Sequence, residues 1–309
     1  MKRVLPLTVC LLFIFFLCLW SRSLEAKDDA QLQLLWDSFR VSGIKERPKV
    51  ALVLSGGGAR GLAHAGVLKV LKEEGIPVDM VVGASVGALM GSLYASGIEP
   101  EQIEYMAENI RWKKLIAFHL TYRSLYSAKK LEAYIQKHIK NKRFDELEIP
   151  FACVAVDLHT GERIIFREGL VAPAVRASAS MPGVFDPVEY RHRILIDGGV
   201  IDNVPIDIAQ IMGADIIIAV VVNADLTKVK PTNIIKIMTQ VISIQSNYIA
   251  DSQLDNADII IRPKVSNVSF SDLDKGKECV EAGEIATRLA AAKIKSVILD
   301  KMFGSIMKQ

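Results

Sequence analysis

Between Lys49 and Gly87 the chain carries two glycine-bracketed turns about 25 residues apart. Each has an apolar run before it and a helical pattern after it. The first turn is Ser55-Gly56-Gly57-Gly58-Ala59-Arg60-Gly61, and the second is Gly83-Ala84-Ser85-Val86-Gly87, a G-x-S-x-G. In that pentapeptide the serine sits on a sharp strand-to-helix corner. Glycines flank it because a Cβ there would strike the neighbouring strand and helix. The corner lifts the hydroxyl clear of the backbone at a helix N-terminus, where the dipole favours developing negative charge. Ser85 is therefore the candidate nucleophile.

A serine that attacks an ester needs N–H donors for the oxyanion it creates, and loss of one such donor costs about 3 kcal/mol. A run of residues without side chains lets backbone N–H groups approach a substrate closely. Gly56, Gly57, Gly58, Ala59, Arg60 and Gly61 are the candidate oxyanion hole, with Arg60 as an electrostatic aid. Gly56, Gly58 and Gly61 also fit G-x-G-x-x-G. A dinucleotide site, however, wants an acidic residue at the end of the second strand. Here Asp79 opens that strand and Ser85 follows its end. The Gly-Lys-Ser/Thr of a phosphate-binding loop is absent.

Half of the 309 residues are apolar, enough for a large core. Met1-Lys2-Arg3, an apolar run from Val4 to Trp20 and the stretch Ser21 to Ala26 read as a signal peptide cut after Ala26, or as an uncleaved membrane anchor. Either way the chain is expected to be exported, periplasmic or secreted. The net charge of +3 gives no reason to expect nucleic acid as a partner. Beyond residue 26 two cysteines remain, Cys153 and Cys279. Export permits one disulfide between them, and two buried thiols are the plainer expectation. No His/Cys cluster has metal-ligand spacing, so no metal and no cofactor is expected.

Residues 27–48 form a lead-in with Leu32, Leu35, Trp36 and Phe39 at helical spacing, suited to covering an edge of the core. Ala51 to Leu54 is a non-alternating apolar run, as in a parallel strand buried on both faces. A helix over 62–74, a strand over 80–83 and a helix over 86–96 follow. This order argues for an α/β sheet with helices on both faces. Residues 98–149 break the alternation with helices over 100–109 and 128–139. Between them, Arg111 to Leu120 mixes bases with aromatics, which suits a membrane interface, a lid over an apolar pocket, or an ordinary packed insert. Further on, strands are expected over 151–157, 163–167, 193–196, 216–222 and 257–261. Helices are expected over 171–180, 205–212, 232–251 and 278–302. Residues 49–309 read as one domain.

The serine also needs a base, usually histidine. An α/β-hydrolase places its histidine after the acid, but no histidine follows His192. His64 lies in the first turn after the triglycine loop and suits helix packing. His119 and His138 fall in the insert and His159 at a turn. His192 lies about 16 Å from Asp197 along one strand. Asp197 remains. It ends a strand, precedes Gly198-Gly199, and could take the serine proton directly if its surroundings raised its pKa. Asn203 is expected to cap the next helix.

Taken together, GGGARG at 56–61, GASVG at 83–87 and DGG at 197–199 resemble the patatin-like phospholipase family, from about Val50 to Asn203 and onward. His64 within GLAHAGVL is similar to its bacterial branch. The resemblance implies a three-layer α/β/α sandwich with a mostly parallel central sheet. It implies a Ser85–Asp197 dyad, an oxyanion hole from Gly56 to Gly61, and calcium-free hydrolysis of phospholipids or lysophospholipids at a membrane surface. A general esterase or thioesterase, or a lipid-binding protein without turnover, remains open.

Overall fold

The computed structural model describes residues 29–42, 47–118, 124–227 and 231–306. The expected signal or anchor segment and His119 lie outside them. The chain divides into two compact units, Met1–Lys45 and Glu46–Gln309. In the first, α1 (Asp29–Ser42) is the amphipathic lead-in helix, with the Trp36 and Phe39 rings 5.3 Å apart.

In the second unit, β1 (Val50–Leu54) and β2 (Met80–Ala84) are buried along their whole length, as their unbroken apolar runs require. They lie within an eight-stranded mixed sheet with β5 (Phe151–Asp157), β6 (Arg163–Phe166), β7 (Val188–Tyr190), β8 (Arg193–Asp197), β9 (Ile216–Val220) and β10 (Ile259–Ile261). Its order is β10-β9-β1-β2-β5-β8-β7, with β6 paired to β5. The first five strands of that order are mutually parallel, whereas β6, β8 and β7 each pair antiparallel with their neighbours. A separate antiparallel pair joins β3 (Ala117–Phe118) to β4 (Tyr126–Ser127) within the insert.

Helices cover both faces. Ala51, Val53, Val82, Ala84 and Val154 pack beneath α8 (Ile206–Ile211) and the C-terminal end of α9 (Ile234–Gln253). The alternate residues face α3 (Val86–Ala95), whose Gly91 sits against Val81, Phe151 and Leu54. α2 (Ala63–Glu73) packs against the closing helix α10 (Gly276–Ile306). The remaining helices are α4 (Pro100–Asn109), α5 (Trp112–Leu115), α6 (Lys129–His138) and α7 (Val171–Ser178). The architecture is the three-layer α/β/α arrangement that the sequence predicts.

Asp79 is placed at the start of β2, far from the glycine turns. Its carboxylate takes two hydrogen bonds from Arg47 (2.6 and 2.7 Å) and one from the Val50 N–H (2.7 Å). It staples the first strand to its neighbour and leaves the nucleotide reading without its acid. Cys153 and Cys279 are buried free thiols. Burial pushes the Cys279 thiol up to about 12 and the Cys153 thiol further, so both stay protonated.

Candidate active site

The register of β5 brings two distant turns together. β2 runs along one edge of β5 and ends with Ala84 beside Val154. β8 runs the opposite way and ends with Asp197 beside Ala155. β6 occupies residues 153–156 of the other edge, so β2 and β8 share one edge and meet end to end. The residue after β2 is Ser85, and the last residue of β8 is Asp197. Their side chains touch: Ser85 Oγ donates to Asp197 Oδ2 at 2.6 Å. Both are buried.

Ser85 has φ 53° and ψ −122°, a conformation that a non-glycine residue adopts only under strain from a tightly packed corner. The corner is as tight as expected. A Cβ on Gly87 would lie 2.2 Å from the Leu54 carbonyl oxygen, and one on Gly83 would lie 2.6 Å from the Ala88 nitrogen. The Ser85 N–H donates to Ser178 Oγ at 3.0 Å, which anchors the corner to α7.

Asp197 is held by its second oxygen. Oδ1 accepts from the Gly199 N–H at 2.8 Å, leaving Oδ2 for Ser85. Among the described residues no cation pairs with it. Burial raises its pKa to about 6, and the bonds from Ser85 and Gly199 only partly oppose that rise.

The six glycine-loop residues sort into distinct jobs. The Gly56 N–H donates to the Asn203 carbonyl (3.3 Å) and the Ala59 N–H to the Phe270 carbonyl (2.9 Å), so neither points at a substrate. The N–H groups of Gly57 and Gly58 have no acceptor among the described residues. Gly58 has φ 59°, and a Cβ there would meet the Phe270 ring at 2.2 Å. Gly61 lets the loop lie against Val86. Arg60, the expected electrostatic aid, borders the cleft and also holds the loop in place. Its buried guanidinium donates Nε to the Val222 carbonyl (3.1 Å) and Nη1 to that of Val268 (3.2 Å), so it ties the loop to two neighbouring segments. Burial lowers its pKa to about 10, which leaves it charged at neutral pH.

His64 is fully buried, with Nε2 2.9 Å from the Ser55 carbonyl oxygen. A carbonyl only accepts, so Nε2 carries the proton. Nδ1 has no partner. Burial lowers its pKa to about 4, so it is a neutral brace for the start of the glycine loop. Asn203 does not cap α8, whose N-cap is Pro205 without a side-chain bond. The helix begins too late for Asn203 to reach it. Its side-chain oxygen lies against Gly56 and Gly199 instead, and the residue lines the cleft.

That cleft holds about 30 Å³ and is bounded by the glycine loop, Ser85, Asp197, Asn203 and the inner face of α9. Next to it lies a cavity of about 600 Å³, lined largely by apolar side chains that include Phe118, Tyr126, Val184 and Phe185. Arg60, Ser243 and Phe270 border both spaces.

The sequence profile described as patatin-like phospholipase matches residues 52–210. The chain belongs to the patatin-like phospholipase family. The match includes the glycine loop, Ser85 and Asp197. A patatin-like phospholipase domain-containing protein of Caenorhabditis elegans is 34% identical over 206 residues, covering 64% of this chain and 15% of that one. Another from Rattus norvegicus is 35% identical over 192 residues, covering 60% and 14%. An NTE family protein of Mycobacterium tuberculosis is 33% identical over 189 residues, covering 60% and 52%. The chain thus spans about half, or much less, of the length of these relatives. Among solved structures, VipD from Legionella pneumophila superposes with a TM-score of 0.54 at 16% identity, covering 82% of this chain and 67% of that one. That likeness concerns the fold.

Ser178 and the inner face of α9 escape a reading of the sequence. Ser178 reaches Ser85 through a nonlocal contact, and α9 approaches the cleft from a stretch with no motif.

Proposed function

We propose that this patatin-like protein is a serine acyl-ester hydrolase acting on phospholipids or lysophospholipids. The observation that carries the reading is the 2.6 Å bond between Ser85 Oγ and an Asp197 carboxylate that has no cationic partner among the described residues. A carboxylate with a pKa near 6 is ionised at neutral pH yet more basic than an ordinary one, so it can take a proton during attack.

The ester carbonyl enters the cleft and Ser85 Oγ attacks it as its proton passes to Asp197 Oδ2. The Gly57 and Gly58 N–H groups receive the oxyanion. The tetrahedral intermediate collapses, and the lyso-lipid or alcohol leaves with the proton from Asp197. Water, deprotonated by the same carboxylate, then attacks the acyl-serine, and the bond to Ser85 Oγ breaks as Asp197 returns the proton to it, releasing fatty acid. The neighbouring cavity suits the acyl chain, since about 600 Å³ of mainly apolar space lies in the usual range of small-molecule sites. The alcohol-side group would face outward, past Asn203 and α9.

Turnover of a lysophospholipid compared with a thioester and a short-chain ester tests this reading. Preference for the long-chain oxygen ester supports it. Confinement to small esters would make the chain a general esterase, and binding without turnover would make it a lipid-binding protein. EDTA is expected to leave the rate unchanged. Export is part of the same proposal, and intact mass of the chain purified from its native host, starting at Lys27, would support it.

A further inference from the structure

Helix α9 is inside out. Its cleft-facing side carries the polar Thr239, Gln240, Ser243, Ser246 and Asn247 beside only two apolar residues, Ile235 and Ile242. Three of these bind backbone carbonyls beside the site: Gln240 to Leu226 (3.0 Å), Ser246 to Gly199 (3.1 Å) and Asn247 to Ala224 (2.9 Å). The outward side carries Ile234, Ile237, Met238, Val241, Ile244 and Tyr248, between 38% and 81% exposed. The spacing is that of one continuous helical stripe. An ordinary surface helix turns such a stripe inward, and only Ala250 of this one is fully buried. A contiguous apolar patch of this kind marks a contact surface.

Charge says what the contact is. The 110–118 segment and α9 hold the bases Arg111, Lys114 and Lys236 against a single acid, Asp251 near the far end of the helix, which pairs with Arg262 at 3.5 Å. They converge on one place, because Ile116 and Phe118 line the 600 Å³ cavity together with Ile235 and Lys236. Phe118 is itself exposed. Apolar side chains flanked by an excess of bases suit an anionic lipid surface, where the apolar stripe enters the acyl boundary and the bases meet head groups. A protein partner of ordinary composition would give no reason for the excess of bases at this end of the helix.

We infer that the outer face of α9, with the 110–118 segment, docks on anionic phospholipid bilayers and so places the cavity mouth against the lipid. The inference rests on the lipid-hydrolase reading for its purpose, but its geometry is independent of turnover. The profile match ends at residue 210, short of this helix.

The test uses the full chain carrying Val241→Trp, read against the wild type. The added tryptophan should shift its emission to the blue on vesicles of phosphatidylglycerol mixed with phosphatidylcholine, and should be quenched by brominated acyl chains. A tryptophan at exposed Leu289 on α10 should do neither. This readout is local, so an N-terminal anchor cannot mimic it. Ile237→Glu with Val241→Glu should reduce turnover of vesicle lipid about tenfold or more, with turnover of a soluble short-chain ester unchanged, which also reports folding. Equal responses at 241 and 289, or equal vesicle turnover by the double variant, would overturn the docking surface. So would a blue-shifted emission at 241 without vesicles, joined to a dimer in sedimentation, because the occupant would then be a second copy. If the 241 probe inserts but neither ester nor lipid is hydrolysed, the docking surface stands and the hydrolase reading falls.

Discussion

Two aspartates end adjacent strands of one sheet and meet opposite fates. Asp157 closes β5 and Asp197 closes β8, and the two strands pair antiparallel. Both side chains are nearly covered. Asp157 is supplied as a permanent anion. The His159 N–H donates to it at 2.9 Å and Arg193 at 3.0 Å, and these partners hold its pKa below the usual range. Asp197 receives one backbone N–H and a serine hydroxyl but, among the described residues, no cation, and burial lifts its pKa to about 6. On the proposed mechanism the difference separates a structural carboxylate from a reactive one. A side chain that must exchange a proton is left short of the partners that would fix its charge.

The sharpest way to break this comparison is to remove each carboxylate in turn. Asp197→Asn is expected to lower kcat/KM for an ester by about 10³-fold or more, while Asp157→Asn leaves catalysis nearly intact. Comparable losses in both would erase the distinction.

Stability should respond with opposite signs. A folded-state pKa raised from 3.8 to about 6 means that the folded chain binds the extra proton. Wild type therefore loses stability as pH rises between those values. Asp197→Asn should be more stable than wild type at pH 8, by up to ~3 kcal/mol, with the advantage gone below pH 4. Asp157 has a lowered pKa, so its contribution is present above about pH 4 and disappears as pH falls through its folded value. Asp157→Asn should lower Tm at pH 8. Paired thermal denaturation at pH 4 and pH 8 reads both effects.

A third expectation concerns rate. kcat/KM should rise through about pH 6 as Asp197 ionises. A smaller effect is expected from His64→Leu, which removes the brace on Ser55. The variant should lose activity a few-fold (about 1 kcal/mol, one buried hydrogen bond) and keep the acid limb in place, because His64 titrates near 4. A displaced limb would make His64 part of the proton path.

How much of this was legible in the sequence follows from how local each signal is. Gly83 and Gly87 announce their corner, because the clashes they avoid involve residues next to them in the fold's simplest unit. Helices such as α4, with Pro100 at its start, are legible for the same reason. Asp197 emerged only by eliminating histidines. Its meeting with Ser85 depends on β2 and β8 sharing an edge of β5, and strand order is a nonlocal property. The short strand β7, wedged between Pro187 and a turn, carried too little pattern to find. Gly56 and Ala59 drop out as oxyanion candidates because the acceptors of their N–H groups come from residues 203 and 270, far off in sequence. Periodicity located α9 but gave no hint that its apolar stripe faces outward.

The most direct test of the Ser85–Asp197 pair is intact mass after treatment with a fluorophosphonate, followed over time for wild type, Ser85→Ala and Asp197→Asn. The pair predicts a single adduct on wild type, forming more slowly below pH 6, none on Ser85→Ala, and labelling slowed by orders of magnitude on Asp197→Asn. An adduct that persists on Ser85→Ala, or an Asp197→Asn chain that labels at the wild-type rate, would contradict it.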